Sequence, residues 1–179
     1  MSDAVSAALR ASSLCRLLAP GEVDAIAEIA EERRYAAGEN LFREGEPGDG
    51  VYLVISGEVD VVKSGKSGER PLARLGAGGV LGEMSLLTND TRSATGRAFV
   101  DTMALRIPAA RFRGLLTQGT SAALKITAGL GEVLARRLAA TNAKVIELAE
   151  KLEAGGGKVP AMKEEQLAEL HRTLQVWSF

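Results

Sequence analysis

Glu44-Gly45-Glu46-Pro47-Gly48-Asp49-Gly50, running directly into Val51-Tyr52-Leu53-Val54-Ile55, decides the fold. Glycines and a proline punctuate the first half, and the second half is a short apolar run rich in β-formers, the pattern of a turn feeding a strand. From Tyr35 onward the same punctuation recurs. Asn40-Leu41-Phe42 precedes the quoted stretch, and after Ser56-Gly57 the run Glu58-Val59-Asp60-Val61 alternates polar and apolar as on a strand with one wet face. Ser64-Gly65-Lys66-Ser67-Gly68 makes a hairpin loop, Leu72-Ala73-Arg74-Leu75 resumes the sheet, and Gly76-Ala77-Gly78-Gly79 interrupts it. Ala94 to Val100 and Met103 to Ile107 read as two further strands. Closely spaced short strands predict a small β jelly-roll barrel.

Helical patterns flank this region. Residues 3–19 read as one helix or two short ones, and Pro20-Gly21-Glu22 starts another that is predicted to run to about Arg34, with Val23, Ile26, Ile29 and Ala30 on its apolar face. Pro108 with Arg111-Phe112 begins helical sequence again. From about Ser121 to Glu153, Leu134, Leu138, Thr141, Val145, Leu148 and Leu152 recur at intervals of four and three, the seam of a two-stranded coiled coil. Such a stripe calls for a second copy of the chain or for the chain's own barrel. Gly155-Gly156-Gly157 then breaks the pattern, Ala161 to Leu174 forms a short amphipathic helix, and the apolar end Val176-Trp177-Ser178-Phe179 is expected to dock. The predicted class is α+β, mainly β with flanking helices. Its organisation is residues 1–34 as N-terminal helices, 35–115 as the barrel, 116–154 as the long helix and 155–179 as a glycine linker with an amphipathic tail.

The 179 residues, 46% hydrophobic and 25% charged, are enough for one full core with a helical appendage. A net charge of −1 gives no reason to expect a polyanionic partner. No apolar run approaches the roughly 20 residues that span a bilayer, and Met1-Ser2-Asp3 lacks the basic start of a secretion signal, so a cytoplasmic location is expected. The single cysteine, Cys15, excludes an intrachain disulfide and reads as a small core hydrophobe between Leu14 and Leu17. His171, the single histidine, reads as a surface residue of the tail. Metal-dependent chemistry in a barrel of this shape needs clustered histidines, and sensing through haem or an iron–sulfur cluster needs ligands of the same kinds, so no enzyme and no cofactor is expected.

One segment carries chemistry. In Gly82-Glu83-Met84-Ser85-Leu86-Leu87 followed by Arg92-Ser93-Ala94, a carboxylate and a guanidinium stand nine positions apart across a turn-sized piece of chain. Glu83 can accept from a ribose hydroxyl, Arg92 can fork onto a phosphate, and backbone amides at the start of a short helix can add donors. The layout suits a sugar joined to a phosphate, bound without catalysis.

Together, Leu41 to Glu58, Leu81 to Leu86 and Thr91-Arg92-Ser93-Ala94 resemble the cyclic nucleotide-binding domain over roughly residues 14–115. The resemblance continues through Ala135 to Val145, which is similar to the dimerisation helix of the bacterial catabolite activators. It implies a ligand-sensing homodimer joined through the 121–153 helix. Glu83 is assigned by it to the ribose 2′-hydroxyl, Arg92 and Ser93 to the cyclic phosphate, and the amides around Gly82, Met84 and Ser85 to the same pocket. Thr141 is assigned to the adenine ring, with Asn142 reaching the base from the neighbouring subunit. Thr141 as a polar residue that fixes the seam is the alternative.

The implied function is a regulatory module for cyclic AMP, signalling by helix rearrangement to a partner protein. Cyclic GMP, which Ser93 could contact through the guanine amine, a cyclic dinucleotide, or an interaction protein with a vestigial pocket are the alternatives. Two departures stand out: Thr91 replaces the proline that often precedes the arginine, and Gly96 stands where an apolar residue is usual, with a looser strand expected. About 25 residues follow Glu153, too few for a helix-turn-helix, so no direct DNA reading is expected.

Overall fold

In the computed structural model, which describes residues 3–66 and 68–154, Gly50–Ser56 forms strand β3, buried from Gly50 to Val54. Burial on both faces explains why this strand is an unbroken apolar run rather than an alternating one. Val51 and Leu53 point into a core shared with helices, whereas Tyr52 and Val54 point into a second core between two sheets. The same division recurs in β8 (Thr102–Pro108), where Leu105 and Ile107 face the helices and Ala104 the other sheet.

Each sheet has four antiparallel strands. The first runs in the order β1 (Glu31–Tyr35), β8, β3 and β6 (Val80–Leu81), and the second β2 (Asn40–Phe42), β7 (Thr95–Ala98), β4 (Val59–Gly65) and β5 (Gly68–Leu75). Leu41 and Phe42 from the second sheet meet Tyr52, Val54 and Leu81 from the first across the inner core. The architecture is thus the expected antiparallel roll with flanking helices, although the sheets do not close into a barrel. Strands as short as β2 and β6 leave too few ladder hydrogen bonds to join the edges.

Helices α1 (Asp3–Ala11), α2 (Pro20–Ile29), α4 (Ala109–Thr117) and the first part of α5 (Ser121–Ala154) cover the outer face of the first sheet. Leu9, Leu14, Ile26, Phe112, Ile126 and Leu130 are fully buried there. Cys15 lies in the same core, and burial raises its thiol pKa, as a structural cysteine requires. Gly129 lets α5 approach Leu14, since an added Cβ would sit 2.9 Å from the Leu14 carbonyl oxygen. Glu22 ties the start of α5 to α2: its carboxylate accepts from the Ala19 amide (2.6 Å), the Ser121 hydroxyl (2.6 Å) and the Lys125 ammonium (2.7 Å).

Helix α2 ends five residues earlier than expected. Glu31-Glu32-Arg33-Arg34-Tyr35 is an edge strand paired with β8, Glu31 opposite Arg106 and Tyr35 opposite Thr102. Its charged residues carry no periodicity, and the pairing with β8 overrides their helical preference.

The described residues fall into two units, one ending at Leu134 and the other beginning at Ala135. In the second, α5 continues to Ala154 with Leu138, Val145, Ile146 and Leu148 all about half exposed or more. The tail from Gly155 to Phe179, with the short helix, the apolar end and His171, lies outside the described residues. No helix among the described residues is long and apolar enough to cross a membrane.

Candidate functional site

After β6, Gly82 adopts a left-handed φ of 78° and opens the short helix α3 (Glu83–Thr88). A side chain at Gly82 would collide with the Arg92 guanidinium, since a Cβ there would lie 2.1 Å from Nη1. Glu83 and Ser85 in the first turn are buried, whereas Met84 is about half exposed. Asn89, also left-handed with φ 64°, ends the helix.

Arg92 is the centre of the site. It is 2% exposed, and its guanidinium is anchored by Nη1 to the Gly82 carbonyl (3.0 Å) and the Ser85 hydroxyl (2.9 Å). Nη2 donates to the Gly50 carbonyl (2.7 Å) and to one carboxylate oxygen of Asp49. These bonds occupy four of the five N–H donors of an arginine. The fifth, Nε–H, is buried and has no hydrogen-bond partner among the described residues.

The main chain at Arg92 is laced to the Glu44–Gly50 turn. Its N–H donates to the Glu46 carbonyl (2.8 Å), its carbonyl accepts from Gly45 (2.9 Å), and Thr91 forms an isolated antiparallel bridge with Pro47. The turn also presses on α3, because a Cβ at Gly48 would lie 2.6 Å from the Ser85 side chain. Thus the turn, α3 and the Arg92 segment, separate in sequence, form one cluster.

Asp49 is its acidic hub. Its second carboxylate oxygen accepts from the Tyr52 hydroxyl (3.0 Å) and lies 2.8 Å from Arg106 Nε, which in turn has Nη1 3.0 Å from Glu31. Burial, with the Asp49 carboxylate beside it, raises the Tyr52 phenol above its ordinary pKa. The Phe42 ring lies against the guanidinium, its centroid 4.3 Å from Arg92 Cζ, with the Tyr52 ring at 5.6 Å.

Gly82, Glu83, Met84, Ser85, Arg92 and Ser93 are therefore neighbours in space. The Ser93 hydroxyl, on the exposed side, is 3.6 Å from the Met84 sulfur. Thr141 and Asn142 are exposed residues of α5 in the second unit. Asp49, the Gly50 carbonyl, Phe42 and Tyr52 are participants that residue spacing did not single out. The signal available for Asp49 was electrostatic: a buried arginine needs a counter-charge, and Asp49 stands in the glycine-flanked turn that precedes β3.

Comparison with known proteins identifies the family. A family model described as the cyclic nucleotide-binding domain matches residues 32–118. The chain is 38% identical over 132 residues to the cyclic AMP receptor protein of Thermus thermophilus, covering 73% of this chain and 59% of that protein. Among solved structures, the catabolite activator protein of Thermus thermophilus superposes with a TM-score of 0.67 at 35% identity, covering 77% of this chain and 63% of the other. A cyclic nucleotide-binding-like protein from Brucella abortus is matched over 99% of its length and 64% of this chain, at 31% identity and a TM-score of 0.56. The chain belongs to the cyclic nucleotide-binding domain family. It spans about six tenths of the length of the Thermus thermophilus receptor and smaller shares of other curated relatives that it matches.

Proposed function

We propose that the chain is a sensor for a cyclic purine nucleotide, cyclic AMP foremost, and that it binds its ligand without transforming it. The observation that carries this reading is the orphan Nε–H of Arg92. Leaving a buried donor unpaired costs about 1–3 kcal/mol, and a phosphate oxygen arriving on that edge removes the cost. Arg92 then neutralises the cyclic phosphate, Ser93 adds its hydroxyl, and Glu83 accepts from the ribose 2′-hydroxyl. The amides of Gly82, Met84 and Ser85 lie at the helix start, where N–H groups lack intrahelical acceptors. Thr141 and Asn142 meet the base, Asn142 from the second subunit of a homodimer formed through residues 121–153. The half-exposed Leu138, Val145 and Leu148 support that dimer.

Adenine is favoured because the Thermus thermophilus relative is named for cyclic AMP. Cyclic GMP is the second reading, supported by the exposed Ser93 hydroxyl, whose neighbour is a thioether sulfur, leaving it able to serve a guanine amine. In this reading the output is a helix rearrangement transmitted to a partner protein in the cytoplasm, with no direct contact to DNA. Isothermal titration of the chain with cyclic AMP, cyclic GMP and a cyclic dinucleotide tests it. Saturable binding of cyclic AMP, lost in Arg92→Ala, is the expected result; no heat with any of the three would leave a vestigial pocket and overturn the proposal.

A further inference from the structure

Gly96 and Phe42 stand opposite each other in the β2–β7 pair, at a register shift in the ladder. A side chain at Gly96 has no room: a Cβ would lie 2.9 Å from Phe42 Cζ and 3.0 Å from Cε1. In place of the looser strand expected at Gly96, the structure shows a paired position with a close ring contact. The glycine is buried and paired with both Phe42 and Val61, and the phenyl ring fills the volume that a larger residue would have taken.

The consequence reaches the arginine. Next to Gly96, the Phe42 ring packs against the Arg92 guanidinium, Cζ lying over the ring 4.3 Å from its centroid, while the N–H groups of the same guanidinium are held by Asp49, Gly50, Gly82 and Ser85. Tyr52 flanks the pair, its ring centroid 5.5 Å from that of Phe42 in a tilted contact and 5.6 Å from Arg92 Cζ. A guanidinium that must receive a phosphate edge-on has to keep its plane, and rotation about its last torsions would carry Nε away from the ligand. Hydrogen bonds fix the group in its plane, and a ring on its face opposes tilting out of it. The ring also excludes water from that face, which strengthens the attraction between the cation and an incoming anion.

We infer that Phe42, seated by Gly96, is the positioning residue that holds Arg92 in plane for an anionic ligand. This rests on the phosphate-binding role proposed above for Arg92. The pair acts through the arginine and does not itself touch the phosphate.

Two readouts test it on the full chain: affinity for cyclic AMP by calorimetry, and the 15N-resolved Nε–H resonance of Arg92, assigned by its loss in Arg92→Lys. Phe42→Leu removes the aromatic face, and Gly96→Val forces the ring to move. Each should weaken binding roughly 10-fold and shift the Arg92 resonance, whereas Phe42→Tyr should keep both near wild type. Should Phe42→Leu fail to fold, Gly96→Ala carries the test, because its methyl meets the ring while Phe42 remains. Binding within about twofold of wild type and an unmoved Arg92 resonance, even alongside a lower melting temperature, would overturn the inference. If wild type binds no cyclic nucleotide, the ligand reading fails, and the Arg92 resonance alone still decides whether Phe42 positions it.

Discussion

Asp49 grips Arg92 through one carboxylate oxygen while its other oxygen faces Tyr52 and Arg106, so the fold itself holds an anion against its arginine. A cyclic phosphate has to approach a cation whose charge is partly spent. Asp49→Asn removes that competing charge and leaves the three neutral acceptors of Arg92 in place. We expect a lower melting temperature without ligand, by an amount corresponding to about 1 kcal/mol for a half-exposed partner, and a larger ligand-induced rise than in wild type. Thermal shift with and without cyclic AMP measures both; a smaller rise would mean that Asp49 chiefly orients Arg92.

Arg92 itself should be indispensable. In the proposed binding mode, truncation to alanine removes the phosphate contact and leaves Asp49 with Tyr52 and Arg106 as its partners. The expected loss is about 2–4 kcal/mol of binding, roughly 30- to 900-fold. Arg92→Lys keeps the charge without the fork and should fall between wild type and Arg92→Ala in a calorimetric titration.

Glu22 predicts an acid-sensitive link. The Lys125 ammonium, then the Ser121 hydroxyl and the Ala19 amide, lower its pKa from an ordinary 4.5 to about 2. A carboxyl depressed by folding stabilises above its unfolded pKa, and that contribution fades as pH falls from about 4.5 through about 2. The melting temperature of Glu22→Gln should therefore lie below wild type at pH 6, with the gap closing as the pH approaches 2. A gap independent of pH would show that the carboxylate charge is not what binds α2 to α5.

The α5 stripe predicts assembly. Leu138→Glu combined with Val145→Glu places charge on half-exposed apolar positions outside the first unit's core. Light scattering should find wild type as a dimer and the double variant as a monomer with little change in circular dichroism. A wild-type monomer at tens of micromolar would remove the dimer from the proposed mechanism.

The parts of this fold that could be read from sequence are those where one physical demand dominates. The run Val51 to Val54 is apolar because both faces of β3 are covered, and Pro20 marks a helix start because its missing donor costs nothing there. Glu83 and Arg92 stand out as a candidate pair because a carboxylate and a guanidinium would have complementary uses around a sugar phosphate. The strand Glu31–Tyr35 was not, since an exposed edge imposes no alternation and its pairing with β8 is a distant event in the chain. Asp49 and Phe42 escaped for a related reason. Their roles come from the turn and β2 being folded against Arg92, about 40 to 50 positions away, and local spacing carries no trace of such proximity. Gly96 was read from what is missing at that position, while its meaning lies in the ring across the ladder.

The lacing of Arg92 to the Glu44–Gly50 turn has a mechanical corollary. With its amide, its carbonyl and the preceding Thr91 all stitched to that turn, the arginine's α-carbon is an anvil that cannot travel. The six-residue helix α3, between the left-handed residues Gly82 and Asn89, meets that fixed point through the Gly82 carbonyl and the Ser85 hydroxyl, so main chain and side chain of one arginine join two segments of the fold.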